Sequence, residues 1–444
     1  MADLILFDIT RLAGRLRIHT PTGIDRVEFA YARHLAQHHR EALNFVMHWR
    51  GHFRALPTKT VLKYLDVVEH QWGVSQPGET RRLTQKIGTF LGDTALAEGL
   101  DSNVVRQQRR DMRRLWRLRL RISIGSRRLR LPPRPAGECR FYVNVSQEGV
   151  ESREGIEALA QRDGVHPVFL LHDLIPITHP EYMRPGFAAR HARRLATMLS
   201  AGATILTNSA FTADELRDYA QRKGLSAPPI AVALLSFGFD VREEEPVFHP
   251  KVPYFVCLGT IEPRKNHIFL LQLWRQMVER LGERAPKLLL IGRRGWENEN
   301  AISLIERCAA IQGHVLECGA VPDIILQRLV RGASAILFPS FAEGYGMPLV
   351  EAMSLGVPVI ASDLTVFREV TQGIPEFLDP IDGPAWMSLI EDYADPASVR
   401  RTVQVERIRD FAAPTWADHF RVFEQALDGI RERAAPAPLP APAG

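Results

Sequence analysis

The chain has 444 residues, 45% hydrophobic and 24% charged, with a formal net charge of +5. That length suggests two or three domains, each able to bury a core, and that composition excludes a globally disordered chain. The four cysteines, Cys139, Cys257, Cys308 and Cys318, form no C-x-x-C pair, which argues against a zinc knuckle or a disulfide framework.

The opening MADLILFDIT carries Asp3 ahead of a short apolar run and lacks a basic stretch, so it reads as a first strand and not as a signal peptide. No stretch of about 18 apolar residues marks a transmembrane helix. The expected compartment is the reducing cytoplasm. Further β-type runs follow at 141–146, 167–173, 203–209 and 230–238, with helical patterns such as 25–37 and 212–223 between them. Ser209 and Thr212 suit the cap of the latter.

Between the opening strand and the run at 141–146 lies an arginine segment. Residues 106–134 hold 12 arginines and one acid, Asp111, so the segment is +11 and the rest of the chain is −6. Trp116, Leu118, Leu120, Ile122 and Ile124 alternate as in a strand, whereas 106–115 is more helical, leaving the type of segment open. A solvated basic face, a nucleic-acid patch and a membrane-surface patch all fit the charge. No nucleic-acid motif accompanies it, so nucleic acid is not expected; contact with anionic lipid is favoured, placing the protein peripherally on the inner membrane.

An acidic, proline-containing stretch near 241–252 marks a boundary. The strand rhythm then resumes at 254–259, 287–292, 314–319, 335–340 and 357–362. Continuous apolar strands separated by amphipathic helices predict parallel sheets covered on both faces. The fold class is therefore α/β, with two doubly wound Rossmann-like domains facing across a cleft. The expected divisions are an acceptor-binding domain at 1–245, a nucleotide-sugar-binding domain at 246–411, a C-terminal helix at 412–434 packing back on the first domain, and a disordered proline- and alanine-rich tail at 435–444.

In open α/β sheets, ligands sit beyond the carboxyl ends of the strands, and the unusual residues of this chain cluster there. After the strand at 335–340 come Glu343, Gly344, Tyr345, Gly346, Met347, Pro348 and, one turn on, Glu351. Pro348 suits a first helical position, the glycines permit close approach of backbone to ligand, and the helix start favours an anion. Two carboxylates suit vicinal hydroxyls. After the strand at 254–259 come Thr260, Arg264 and Lys265, the latter two able to neutralise a diphosphate. His172 and Asp173 end the strand at 167–173. The turn Gly292–Trp296 reads equally as a cover over a nucleotide or a tight surface turn. His34 and His38 have helical spacing, a reading left open for His48 and His52; with no nearby acid, all four are expected to be exposed and not metal ligands.

Together these motifs resemble the retaining glycosyltransferases of family 4, which have the GT-B fold. The shared pattern is Glu, seven residues, Glu, here Glu343 and Glu351. The likeness extends through Gly259–His267, Thr22–Arg26, His172–Pro176 and Asn208–Ser209, and is greatest to a bacterial surface-polysaccharide branch that includes mannosyltransferases. Two positions depart from the family: Thr260 stands where an Arg is common, and Thr22 precedes Gly23 where many relatives have two glycines. The resemblance implies His172, Glu343, Lys265 and Arg264 as catalytic. It implies Gly23, Asp173, Thr260, Val321, Gly344, Tyr345, Gly346, Met347, Pro348 and Glu351 as donor-binding. It also implies a nucleotide-diphosphate sugar donor, GDP-mannose by branch, and a glycan or lipid-linked acceptor. No D-x-D triplet occurs, so no metal ligands and no cofactor are expected. The competing reading is a non-catalytic nucleotide-sugar-binding or RNA-associated protein of the same fold.

Overall fold

A computed structural model describes residues 3–14, 21–72, 77–93, 103–236, 250–319 and 321–434. Most of the expected boundary at 241–252 and the tail at 435–444 lie outside the described residues.

The first sheet contains β1 (Leu4–Asp8), β2 (Leu43–Trp49), β3 (His52–Ala55), β4 (Arg127–Arg128), β5 (Arg140–Asn144), β6 (Val165–Leu171), β7 (Thr204–Thr207) and β8 (Ile230–Val232). Its order is β4-β3-β2-β1-β5-β6-β7-β8. Strands from β2 to β8 across the sheet pair in parallel, while β3 pairs antiparallel with both β2 and β4. The β2–β3 hairpin closes through Arg50 and Gly51, both at positive φ (48° and 81°), the conformation that two-residue hairpin turns demand. His48 and His52 therefore sit on paired strands and not at helical spacing, which corrects the sequence reading. The second sheet contains β9 (Tyr254–Leu258), β10 (Lys287–Ile291), β11 (Val315–Gly319), β12 (Ala335–Phe338), β13 (Val359–Ser362) and β14 (Glu376–Leu378). It is wholly parallel in the order β11-β10-β9-β12-β13-β14, the doubly wound arrangement whose ligand crevice opens between the first and fourth strands of the domain, here β9 and β12.

The arginine segment is mainly a helix, Asn103–Gly125. Leu115, Leu118 and Ile122 are buried at helical spacing, and the helix packs on Thr58–Trp72. Trp116, Leu120 and Ile124 form a second stripe that is 67%, 46% and 75% exposed. Two apolar stripes on one helix imitate strand alternation in the sequence, so the strand-like reading of 116–124 is overturned by the helix period.

The last helix, Trp416–Ala434, crosses back onto Gly23–His38. Phe420 and Phe423 each place their ring 5.1 Å from that of Tyr31, edge-on. His419 Nε2 accepts from Tyr31 Oη at 2.8 Å, while its Nδ1 lies 3.1 Å from the carbonyls of Ala233 and Leu234.

Candidate active site between the domains

The carboxyl ends of β9 and β12 bring four charged side chains together. Glu343, in the loop after β12, is buried. Its Oε1 accepts from Ser340 Oγ at 2.8 Å and pairs with the Lys265 ammonium; its Oε2 lies 2.5 Å from the Arg264 guanidinium. Arg264 is also held by Glu262 at 2.7 Å and by the carbonyl of Ala342 at 2.9 Å. Burial alone would raise the Glu343 carboxyl; Arg264 and Lys265 outweigh it and hold it at about 2. Burial depresses the Lys265 ammonium, with Arg264 adding to the effect and Glu343 opposing it. The Lys265 Nζ also lies 4.8 Å from the centre of the Phe338 ring. In this low-dielectric setting the cluster is a preorganised set of charges. Arg264 is committed to two carboxylates and a carbonyl, so its first task is to hold Glu343 in place.

Why the chain bends here follows from its glycines. Gly346 has φ of 101° and precedes the helix Met347–Ser354, which starts one residue earlier than Pro348. Glu351 is buried on that helix. Gly344 lies so close to the first domain that a Cβ would come within 2.6 Å of both Asp173 Cβ and the His172 carbonyl. Gly23, at the start of Gly23–His38, faces Met347 in the same way: its Cβ would lie 2.9 Å from the Met347 sulfur. The two domains are thus apposed at Gly23, His172, Asp173, Gly344 and Met347.

His172 follows β6 and is buried. Its Nε2–H donates to the Val145 carbonyl at 2.7 Å, leaving Nδ1 as the acceptor, and burial lowers its pKa so that the ring is neutral. The His172 carbonyl accepts from Asn208 Nδ2 at 2.9 Å, and the Asp173 carboxylate accepts from the Ile175 N–H at 3.1 Å. Tyr345 is placed differently from expectation: its hydroxyl donates across the domains to the Leu235 carbonyl at 2.5 Å, which makes it an interdomain tie. Thr260 is half-buried, and its methyl would lie 2.7 Å from a Cβ on Gly295. Gly295 is what leaves room for Thr260 there, and the loop after β9 is held to the turn after β10 by hydrogen bonds from Ile261 N–H to the Arg293 carbonyl and from Gly295 N–H to the Ile261 carbonyl, both 2.9 Å. Val321 is buried just after β11.

Several contributors were not foreseen from sequence. Arg26 Nη2 donates to both carboxylate oxygens of Asp323 at 2.7 Å, tying the first domain to the second. Glu369 of the second domain accepts from the Ala210 and Phe211 N–H groups at 2.6 and 3.0 Å, capping a first-domain helix. Trp296 Nε1–H donates to the Tyr182 carbonyl at 3.2 Å, with the Arg184 guanidinium 5.0 Å from its ring, so the Gly292–Trp296 turn spans the domains. Below Gly23, Arg11 meets Asp25 at 2.7 Å, and Asp25 accepts from the Thr22 N–H at 2.8 Å, which fixes the loop. The one local signal for these was Thr22 three residues before Asp25, a helix-start pattern.

Comparison with known proteins bears on the fold and the family. Residues 252–392 match the family described as Glycosyl transferases group 1. The chain is 33% identical over 224 residues to O-antigen chain mannosyltransferase B of Escherichia coli, covering 48% of this chain and 58% of that protein. It is 24% identical over 262 residues to the serotype-specific mannosyltransferase WbdA of Escherichia coli, covering 53% of this chain and 31% of that one. The chain therefore spans less than two thirds of either relative. Among solved structures, an α,α-trehalose-phosphate synthase (UDP-forming) from Burkholderia vietnamiensis superposes with a TM-score of 0.58 at 11% identity, over 99% of this chain and 100% of that one. Anabaena HepE in complex with UDP gives 0.52 at 14% identity, over 97% and 100%. The chain has the GT-B fold, matches the Glycosyl transferases group 1 family over residues 252–392, and resembles surface-polysaccharide mannosyltransferases.

Proposed function

We propose that this chain is a retaining glycosyltransferase that moves a hexose, mannose, from a nucleotide-diphosphate sugar, GDP-mannose, to a glycan or lipid-linked acceptor in bacterial surface-polysaccharide synthesis. The observation that carries this reading is the buried Glu343–Lys265–Arg264 cluster set against His172 and Asp173 across the domain junction. Breaking a sugar–diphosphate bond builds negative charge on the leaving group. Lys265 and the start of the Met347–Ser354 helix stabilise it, with no metal and no cofactor in the site. Glu343 orients the sugar hydroxyls and Glu351 holds the ribose diol. Neutral His172 faces the reacting carbon as a hydrogen-bond partner, and the leaving phosphate takes the acceptor proton on the same face. The names of the mannosyltransferase relatives support the donor. A non-catalytic binder of the same fold would hold the nucleotide-sugar without turnover. Release of nucleoside diphosphate from GDP-mannose, abolished in Glu351→Ala, separates the two; binding without any release supports the non-catalytic reading.

The partner surface is the Asn103–Gly125 helix. Its exposed Trp116, Leu120 and Ile124 run beside exposed Arg113, Arg117 and Arg121, each set at four-residue spacing. Such a face suits an anionic bilayer surface: the arginines meet head groups and the apolar stripe enters the acyl boundary. No helix among the described residues is long and apolar enough to cross a membrane. A peripheral position would bring the first domain to a lipid-linked acceptor. Sedimentation with anionic but not neutral vesicles tests it.

A further inference from the structure

The sequence offers His34 without an acid beside it; the fold supplies one from 390 positions away. His34 and His39 lie at the C-terminal end of Gly23–His38, and Glu424 lies on Trp416–Ala434, which packs on it. His34 Nε2 and His39 Nε2 are each 2.8 Å from the same oxygen, Oε1 of Glu424. All three candidate ligand atoms lie within 4.8 Å of one another. The side chains are 13%, 18% and 30% exposed, withdrawn from bulk water yet reachable from it. His34 is held in orientation by Phe420, whose ring stacks on it at 3.9 Å and 6°. The exposed His38 ring is centred 4.6 Å from that of His34, tilted by 35°.

We propose that His34, His39 and Glu424 form a binding site for a divalent transition-metal ion of the zinc class, which staples the C-terminal helix to the first domain. Two imidazole nitrogens and one carboxylate converging on one point are a common zinc donor set, with the fourth position filled by water. Each imidazole offers a lone pair at Nε2 once its proton sits on Nδ1, and Glu424 supplies a carboxylate oxygen as the third donor. Binding requires the three atoms to open only enough to admit an ion at roughly 2.0–2.2 Å from each. The site is structural. His34 stands about 16 Å along the helix from Gly23, at 1.5 Å per residue, so the ion would be remote from the sugar-transfer cluster. Because the two helices belong to opposite ends of the chain, the ion would close a loop spanning 390 positions.

The experiment uses the full chain, free of any histidine tag and stripped of metal by chelator dialysis. Cobalt(II) is titrated as a visible probe and zinc as the competitor. Wild type should take up about one equivalent of cobalt with the intense d–d absorption of a low-coordinate site. Zinc should displace the cobalt and should raise Tm, because it binds the folded form. His39→Ala and Glu424→Gln should each lose the absorption and the zinc-induced rise in Tm. His39 ends its helix and Glu424→Gln keeps the side chain's shape, so both variants should keep the wild-type circular dichroism. Absence of saturable uptake in wild type, or undiminished uptake in both folded variants, would overturn the proposal.

Discussion

In the second domain, Arg264 and Lys265 lie inside the structure, within hydrogen-bonding reach of Glu343 at the ends of parallel strands. In the first, Arg113, Arg117 and Arg121 stand on the outside of a helix that packs on Thr58–Trp72. The same chemical group is thus used in two dielectric settings. Buried charges act strongly over short distances and are little affected by salt. Exposed ones act as a sum over many residues and are screened within a Debye length of roughly 8–10 Å near physiological ionic strength. The difference teaches where specificity resides: the inner cluster suits one small, highly charged donor, while the outer face suits an extended anionic surface.

The largest expected effect comes from removing an inner charge. Lys265→Ala should lower kcat for sugar transfer by about 10²–10³-fold, the scale for losing one preorganised electrostatic group. Arg264 still neutralises Glu343 in this variant, so the fold should survive. Turnover assays with matched circular dichroism check this, and turnover near wild type would remove Lys265 from the machinery. Next comes Gly344→Ala. Its Cβ would intrude to 2.6 Å on Asp173 and the His172 carbonyl, so the domains must part. Activity should drop at least tenfold, with a more open shape in small-angle scattering; unchanged scattering and activity would show that the close contact is not needed.

A smaller effect on chemistry, but a complete one on location, is expected from the outer charges. Replacing Arg113, Arg114, Arg117, Arg119 and Arg121 with Gln should abolish sedimentation with anionic vesicles and leave turnover of a soluble acceptor analogue within about twofold. Raising salt toward 1 M should reproduce the loss in wild type, where the Debye length is about 3 Å. Equal loss of soluble turnover would instead place these arginines in the fold or the active site. The smallest effect is on stability. Burial lowers the pKa of His267 to about 3 and of His166 and His419 to about 4. The unfolded chain therefore takes up protons below about pH 6.5 that the folded chain refuses, and stability falls as pH drops from about 6.5 toward 4. Urea midpoints at pH 7.5 and 5.5 should decrease in that order; a higher midpoint at pH 5.5 would reverse the sign.

The division between legible and hidden features follows the same contrast. Strands β9 to β13 were visible because buried parallel strands are continuous apolar runs, and the Glu343–Glu351 segment was visible because its glycines, proline and acids are contiguous. The hairpin β2–β3 was missed because its polar residues, such as His48 and His52, break the alternation on a sheet edge. The Asn103–Gly125 helix was ambiguous because Leu118–Ile122 and Trp116–Leu120–Ile124 point to opposite sides, one to the core and one to solvent. Arg26–Asp323, Glu369 at Ala210 and Glu424 at His34 were invisible, since pairing across hundreds of residues leaves no local periodicity.

The most direct test of the central claim is release of GDP from GDP-mannose, measured with wild type and Lys265→Ala in the presence of EDTA. Wild type should release GDP under chelation, and Lys265→Ala should be slower by about 10²–10³-fold while still folded. Equal rates in the two proteins would contradict the assignment of the buried cluster. Loss of wild-type activity in EDTA, restored by magnesium or manganese, would contradict a transfer driven by the protein's own charges.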